Sequence, residues 1–185
     1  MSKKQIISLV VVIALLIGIV VAYVMIKKHN EETAEDIKKA KVYSVLSFNA
    51  DKANKLTYSY NDKTYVINLE NSSWVYEADK TMNVDQTSVI SLINSVSNIT
   101  SGTKIENVTD FEQYGLTKPA NKVEISTSEG EIEFSIGKCN ATSGEYYFRV
   151  GQESTVYMVN EIIGKKFNVE IKDLCFNVTE EKATK

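Results

Sequence analysis

The chain has 185 residues, 43% of them hydrophobic and 24% charged, with a formal net charge of −3, which leaves room for one folded domain and an appendage. From Glu31 onward, 17 basic residues stand against 24 acidic ones, a net charge of −7, and Arg149 is the only arginine. That field repels the phosphates of nucleic acid, so no nucleic-acid partner is expected.

The appendage comes first. Residues Ile6 to Ile26, IISLVVVIALLIGIVVAYVMI, hold no charge over 21 positions. A helix of that length spans about 32 Å, close to the roughly 30 Å hydrocarbon core of a bilayer. A buried soluble helix would keep a polar face, and this one has none. Residues 1–28 therefore read as a single transmembrane signal-anchor, with the lipid bilayer as partner through Ile6 to Ile26. Val20 and Ala22 form a poor cleavage site after Ala22, and the apolar run exceeds the roughly 7–15 residues of a cleaved signal, so retention is expected. Lys3 and Lys4 precede the run and Lys27 and Lys28 follow it, so a literal lysine count sends the C-terminal side to the cytoplasm. Long domains translocate largely regardless of charge, however, and the signal-anchor form is compatible with the domain outside. Residues 29–41, HNEETAEDIKKAK, read as a charged, solvated stalk, with Glu35 and Lys39 in the favourable i,i+4 order.

Residues 42–178 read as one soluble α+β domain. Strands are expected at VYSVLSF, KLTYSYN, TYVINLE (Tyr65, Ile67 and Leu69 on one face) and SWVYEA, joined by turns at Asn61–Asp62 and ENSS into an antiparallel meander. Between Asp85 and Asn98 the period changes. Val89, Leu92, Ile93 and Val96 form one apolar stripe, which predicts a single main amphipathic helix packed on the sheet, with Asn83 as N-cap and Gln86 completing a capping box. A strand at GTKIENV and a helical turn at TDFEQYG follow. In YGLTKP, Gly115 ends that turn with positive φ and Pro119 extends the chain, with Tyr114 and Leu116 packed inward. KVEISTS and EIEFSIG read as a hairpin, with Glu129, Glu131 and Glu133 on its solvated face opposite Ile132, Phe134 and Ile136. YYFRVG and TVYMVN form another hairpin, EIIGKKFN a short helix, and IKDLCFNV closes the domain. Residues 179–185 are a polar tail.

Candidate chemistry is sparse. No GxSxG or glycine-rich phosphate loop occurs, and the sole histidine, His29, lies beside the apolar run, so no catalytic, cofactor-binding or metal-binding residue is assigned. Cys139 and Cys175, 36 residues apart, form either one disulfide, adding roughly 3–4 kcal/mol, or two separate buried thiols. Tyr58, Tyr60, Tyr65, Tyr76, Tyr146, Tyr147 and Tyr157 fall on expected strands, where packing outweighs carbohydrate stacking or a protein interface. Trp74 is expected in the core, and Arg149 is expected to pair with a strand carboxylate such as Glu133. Asn-x-Ser/Thr sequons stand at Asn71, Asn98, Asn107, Asn140 and Asn177, and composition alone accounts for them.

Trp74, VDQTSV at 84–89, YGLTKP at 114–119, Ile136–Gly137, GEYYFRV at 144–150, VYMV at 156–159 and KDL at 172–174 occur in one order and spacing. In this the chain resembles the bacterial domain-of-unknown-function family 4340, across roughly Trp74 to Leu174. The resemblance implies an extracytoplasmic α+β domain tethered by one helix and working beside components of a gliding-type ABC transporter. Longer members continue with further related sequence, whereas this chain has one copy. The family supplies no catalytic residues. The expected function is a non-enzymatic accessory module whose partner is another envelope protein. A cell-wall glycan binder is the alternative, and an envelope hydrolase comes third.

Overall fold

The structure, a computed structural model, describes residues 19, 21–27 and 41–176. The chain divides into two units, Met1–Lys41 and Val42–Lys185. In the first, Ile19 and residues 21–27 are helical. Among the described residues no helix is long and apolar enough to cross a membrane. Most of the expected span Ile6–Ile26, the stalk from 29 to 40, Asn177 and the tail 179–185 lie outside the described residues.

The second unit is α+β, mostly antiparallel sheet with a few short helices. Its first strands are β1 (Tyr43–Ser47), β2 (Ala53–Tyr60), β3 (Lys63–Glu70) and β4 (Ser73–Tyr76). Strands β2, β3 and β4 form the expected meander through two-residue turns. Asn61 and Asp62 have φ of 50° and 58°, and Asn71 and Ser72 have 49° and 67°. Positive φ at both central positions matches the twist of tight hairpins, and Asn and Asp tolerate it best.

The expected four-strand meander loses its first member. A 3-10 turn at Ala50–Lys52, capped by the Asn49 side chain, redirects the chain after β1. Strand β1 pairs instead with β5 (Asn98–Ser101), which sets Leu46 opposite Ile99, both buried. The helix α1 (Gln86–Val96) buries Val89, Leu92, Ile93 and Val96, the stripe read from the sequence. Its N-cap is Asp85 rather than Asn83: the Asp85 carboxylate accepts from Thr87 N at 3.0 Å and from the Ser88 hydroxyl at 2.6 Å. Asn83 is engaged elsewhere, its carbonyl accepting from Phe176 N.

The remaining elements are β6 (Lys104–Ile105), β7 (Asn121–Thr127), β8 (Gly130–Cys139), β9 (Tyr146–Val150), β10 (Val156–Val159) and α2 (Glu161–Gly164), with a 3-10 turn at Ile171–Leu174. Eight strands run in the order β4-β3-β2-β7-β8-β9-β10-β6, every neighbouring pair antiparallel. Alternation along each strand sends Leu56, Tyr58, Ile67, Val123, Ile125, Phe134, Ile136 and Phe148 to one face, all fully buried. With α1, Leu46, Ile99 and the C-terminal Phe167 and Leu174 they make the main core. The C-terminal segment is stapled on by polar contacts. Asn121, fully buried, donates from its amide to Ser59 O and Phe167 O, and the Tyr58 hydroxyl donates to Val169 O.

The edge strand β4 is sealed by a side chain. Trp74 N donates to Gln86 Oε1, and Gln86 Nε2 donates to the carbonyls of Trp74 and Val84. Gln86, placed at the start of α1, thus occupies the outward hydrogen-bonding positions that an added strand would use.

Candidate functional site

The opposite face of the large sheet carries what the core rejects. Register aligns its outward residues in rows: Asn68, Lys55, Ser126 and Glu131, then Val66, Thr57, Glu124 and Glu133. Beside them Lys122 and Arg149 flank Ser135 on either side. Glu124 and Glu133 stand directly opposite each other, an arrangement that repels. Lys122 relieves it, with Nζ 3.0 Å from Glu124 and 3.3 Å from Glu133. Hydrogen bonds to Glu124 first, and to Glu133, lift its ammonium above the usual lysine range against a smaller cost of desolvation. A hollow of about 380 Å³ opens over Lys55, Thr57, Glu124, Ser126, Glu131 and Glu133. Glu129, expected beside Glu131 and Glu133, lies in the β7–β8 turn instead, because the hairpin closes at Thr127 and Gly130.

One end of this face has a wall. Asp110 accepts from Glu112 N and starts the 3-10 turn Glu112–Tyr114, which Gly115 ends at φ 68°. Leu116 N then donates to Phe111 O, folding the loop back over β9 and β10, where Leu116, Val108 and Val156 are buried with Phe111, Tyr114 and Tyr147 against them. The loop can sit this low because β8 offers Gly137, where a Cβ would come 2.2 Å from Tyr114 O. The two glycines of YGLTKP and FSIG are therefore one device, a positive-φ turn seated on a backbone without a side chain. Behind the wall lies a second hollow of about 340 Å³, bordered by Phe111, Pro119, Lys122, Glu133, Ser135 and Arg149.

Arg149 does not pair with Glu133 as expected. Glu133 is taken by Lys122, while the Arg149 guanidinium lies 3.8 Å over the Phe111 ring and its Nε donates to Glu153 O at 2.7 Å. Phe111 joins the site from a loop more than thirty positions upstream, a juxtaposition without a local signal in the sequence.

The aromatics point mostly the other way. Tyr58, Tyr65 and Tyr157 are buried, Trp74 is in the core as expected, and Tyr65–Tyr58–Phe167–Phe134–Phe148 form a continuous run of ring contacts inside it. Tyr147 faces the open side but is covered by Tyr114, with ring centroids 4.8 Å apart. Among the described residues no group of His, Cys, Asp and Glu is arranged to hold a metal ion. Cys139 is exposed at the end of β8 and Cys175 is half-buried, and neither is in a disulfide. Desolvation, then Asp79, pushes the Cys175 thiol above its ordinary range.

A family model described as a domain of unknown function, DUF4340, matches residues 74–175, more than half of the chain. No curated protein and no solved structure matches it. The matched segment runs from the sealed edge at Trp74 to Cys175, which bridges back to Val84. It includes Lys122, Glu124, Glu133, Ser135 and Arg149 and leaves out Lys55 and Thr57.

Proposed function

The chain belongs to this family of domains of unknown function, and on that premise we propose that it is a tethered, non-enzymatic interaction module. Its partner, another protein of the cell envelope, docks on the open face of the eight-stranded sheet. One observation carries the reading. The core side of the sheet is covered by α1, the β1–β5 pair and the C-terminal segment, whereas β2, β7 and β8 present uncovered polar rows with hollows between them. The alternative, strand addition at β4, is disfavoured by Gln86. A glycan platform is disfavoured because the stacking aromatics are turned inward. The tether is the uncharged run Ile6–Ile26, and the extracytoplasmic side and the transporter component as partner are what the family resemblance suggests.

The test uses the full chain in its host membrane, with a photo-crosslinking residue at Thr57 or Glu131 and a control at Thr142 in the β8–β9 turn. Crosslinked membrane complexes are expected from the first two and not from the third. A chain recovered alone from all three positions would remove the docking reading. Cys139, being exposed, reports orientation: a membrane-impermeant thiol reagent should label it on intact cells.

A further inference from the structure

The only arginine of the chain is held by an aromatic ring and a carbonyl and, among the described residues, has no carboxylate partner. Its guanidinium is stacked on Phe111, and the bond from Nε to Glu153 O fixes its plane while using one of five N–H donors. Among the described residues no Asp or Glu lies within ion-pairing distance of Arg149, although the domain is acidic. The nearest candidate by register, Glu133, is engaged with Lys122. The Arg149 side chain borders the hollow of about 340 Å³ together with Lys122, Ser135 and Gln152.

We propose that this hollow is a carboxylate-binding site. The two Nη groups of Arg149 form a fork that matches a carboxylate in bidentate geometry. Most of the ordering entropy of the side chain is already lost to Phe111 and Glu153, so little more is lost on binding. Lys122 holds Glu133 in an ion pair at the rim, and Ser135, Gln152 and the Thr117 hydroxyl offer further hydrogen bonds. Glu124 and Glu133 nearby penalise a second negative charge, which favours a monoanionic carboxylate over a phosphate dianion. The inference rests on the reading of this face as the docking surface and names the partner's chemistry: an acidic side chain or a chain-terminal carboxylate.

A single arginine allows a direct test. Full chain in detergent micelles, labelled with [15N]arginine, yields one Nε–Hε resonance. Titration with acetate should shift it saturably, chloride at equal ionic strength should not, and inorganic phosphate should bind more weakly. N-acetylalanine and the α-amide of N-acetylglutamate then separate a chain terminus from an acidic side chain. In Arg149→Gln the backbone amides of Ser135 and Gly151 serve as reporters, and acetate affinity should fall about tenfold or more. Phe111→Leu should weaken binding severalfold while Arg149 remains. The site is refuted if acetate acts no differently from chloride, or if Arg149→Gln leaves affinity unchanged. If acetate binding fails while crosslinks from Thr57 persist, the docking face stands without this site. If the crosslinks fail too, both ideas go.

Discussion

The two faces of the large sheet are made by the same strands and obey different rules. Along β8, Phe134 and Ile136 are fully buried in the core, while Glu133 and Ser135, which alternate with them, face outward. On the inner face, shape and area decide which residue is allowed. On the outer face, charges must be balanced locally, because Glu124 and Glu133 are held opposite each other whatever their preference. Stability should therefore respond to substitutions on one face and recognition to those on the other.

The sharpest way to break that comparison is a pair of adjacent residues. Phe134→Ala should cost about 3–5 kcal/mol by cavity formation. Ser135→Ala, one position along and on the other face, should stay within about 0.5 kcal/mol. Urea unfolding of the full chain, followed by the fluorescence of the single tryptophan, Trp74, measures both. Comparable losses would mean that the outer face is also packed. Two residues connect the faces and should fall in between. Gln86→Ala strands Trp74 N–H and two carbonyls, for about 1–3 kcal/mol, and it should raise concentration-dependent self-association by opening the edge of β4. Gly137→Ala forces the Tyr114 carbonyl away, costs about 1–3 kcal/mol by overpacking, and should displace the Arg149 Nε–Hε resonance by moving the wall that carries Phe111. An unmoved resonance would disconnect Gly137 from the site.

The inner face was legible in the sequence because its rules are local. Period 3.6 located Val89, Leu92, Ile93 and Val96, period 2 located Ile132, Phe134 and Ile136, and Asn61–Asp62 announced a tight turn. The failures share a different cause. The β1–β5 pairing, the service of Gln86 to Trp74 and the stacking of Arg149 on Phe111 all join residues distant in sequence. Asn83 satisfied a capping pattern, yet Phe176 from the far end of the domain claimed its carbonyl. The expected Arg149–Glu133 pair treated charge as the only criterion. Lys122, on the neighbouring strand, reaches Glu133, and an aromatic ring and a carbonyl hold the arginine.

A smaller effect separates burial from titration. Burial first, then Tyr65 and Tyr76, raise the Tyr58 phenol far above the usual range. A phenol with a raised folded pKa favours folding while it stays protonated, so this contribution is complete below about pH 10 and is lost as pH rises further. Tyr58→Phe should cost about 1 kcal/mol at neutral pH, from the lost bond to Val169 O. It should also flatten the decline in stability above pH 10. An alkaline decline as steep as that of the unsubstituted chain would place the sensitive group elsewhere, with Tyr65, also raised by burial, the first alternative.

A small expected change in stability at Lys122 carries the most information about the open face. Lys122 is about half exposed, so losing its ion pairs in Lys122→Met should cost no more than about 1 kcal/mol. The sign of its pH dependence follows from the raised pKa: the pairs contribute fully at neutral pH and are lost as pH climbs through that raised value. Without the ammonium, Glu124 and Glu133 repel across β7 and β8. Added salt should therefore recover part of the loss, since exposed charges are screened. The larger consequence falls on Arg149, which the substitution leaves in place. Glu133, freed from Lys122, becomes an internal competitor for the guanidinium fork, so acetate should bind more weakly to Lys122→Met and regain affinity in Lys122→Met combined with Glu133→Gln. If the double variant stays as weak as the single one, Lys122 acts as a direct ligand of the carboxylate rather than as the group that keeps Glu133 away.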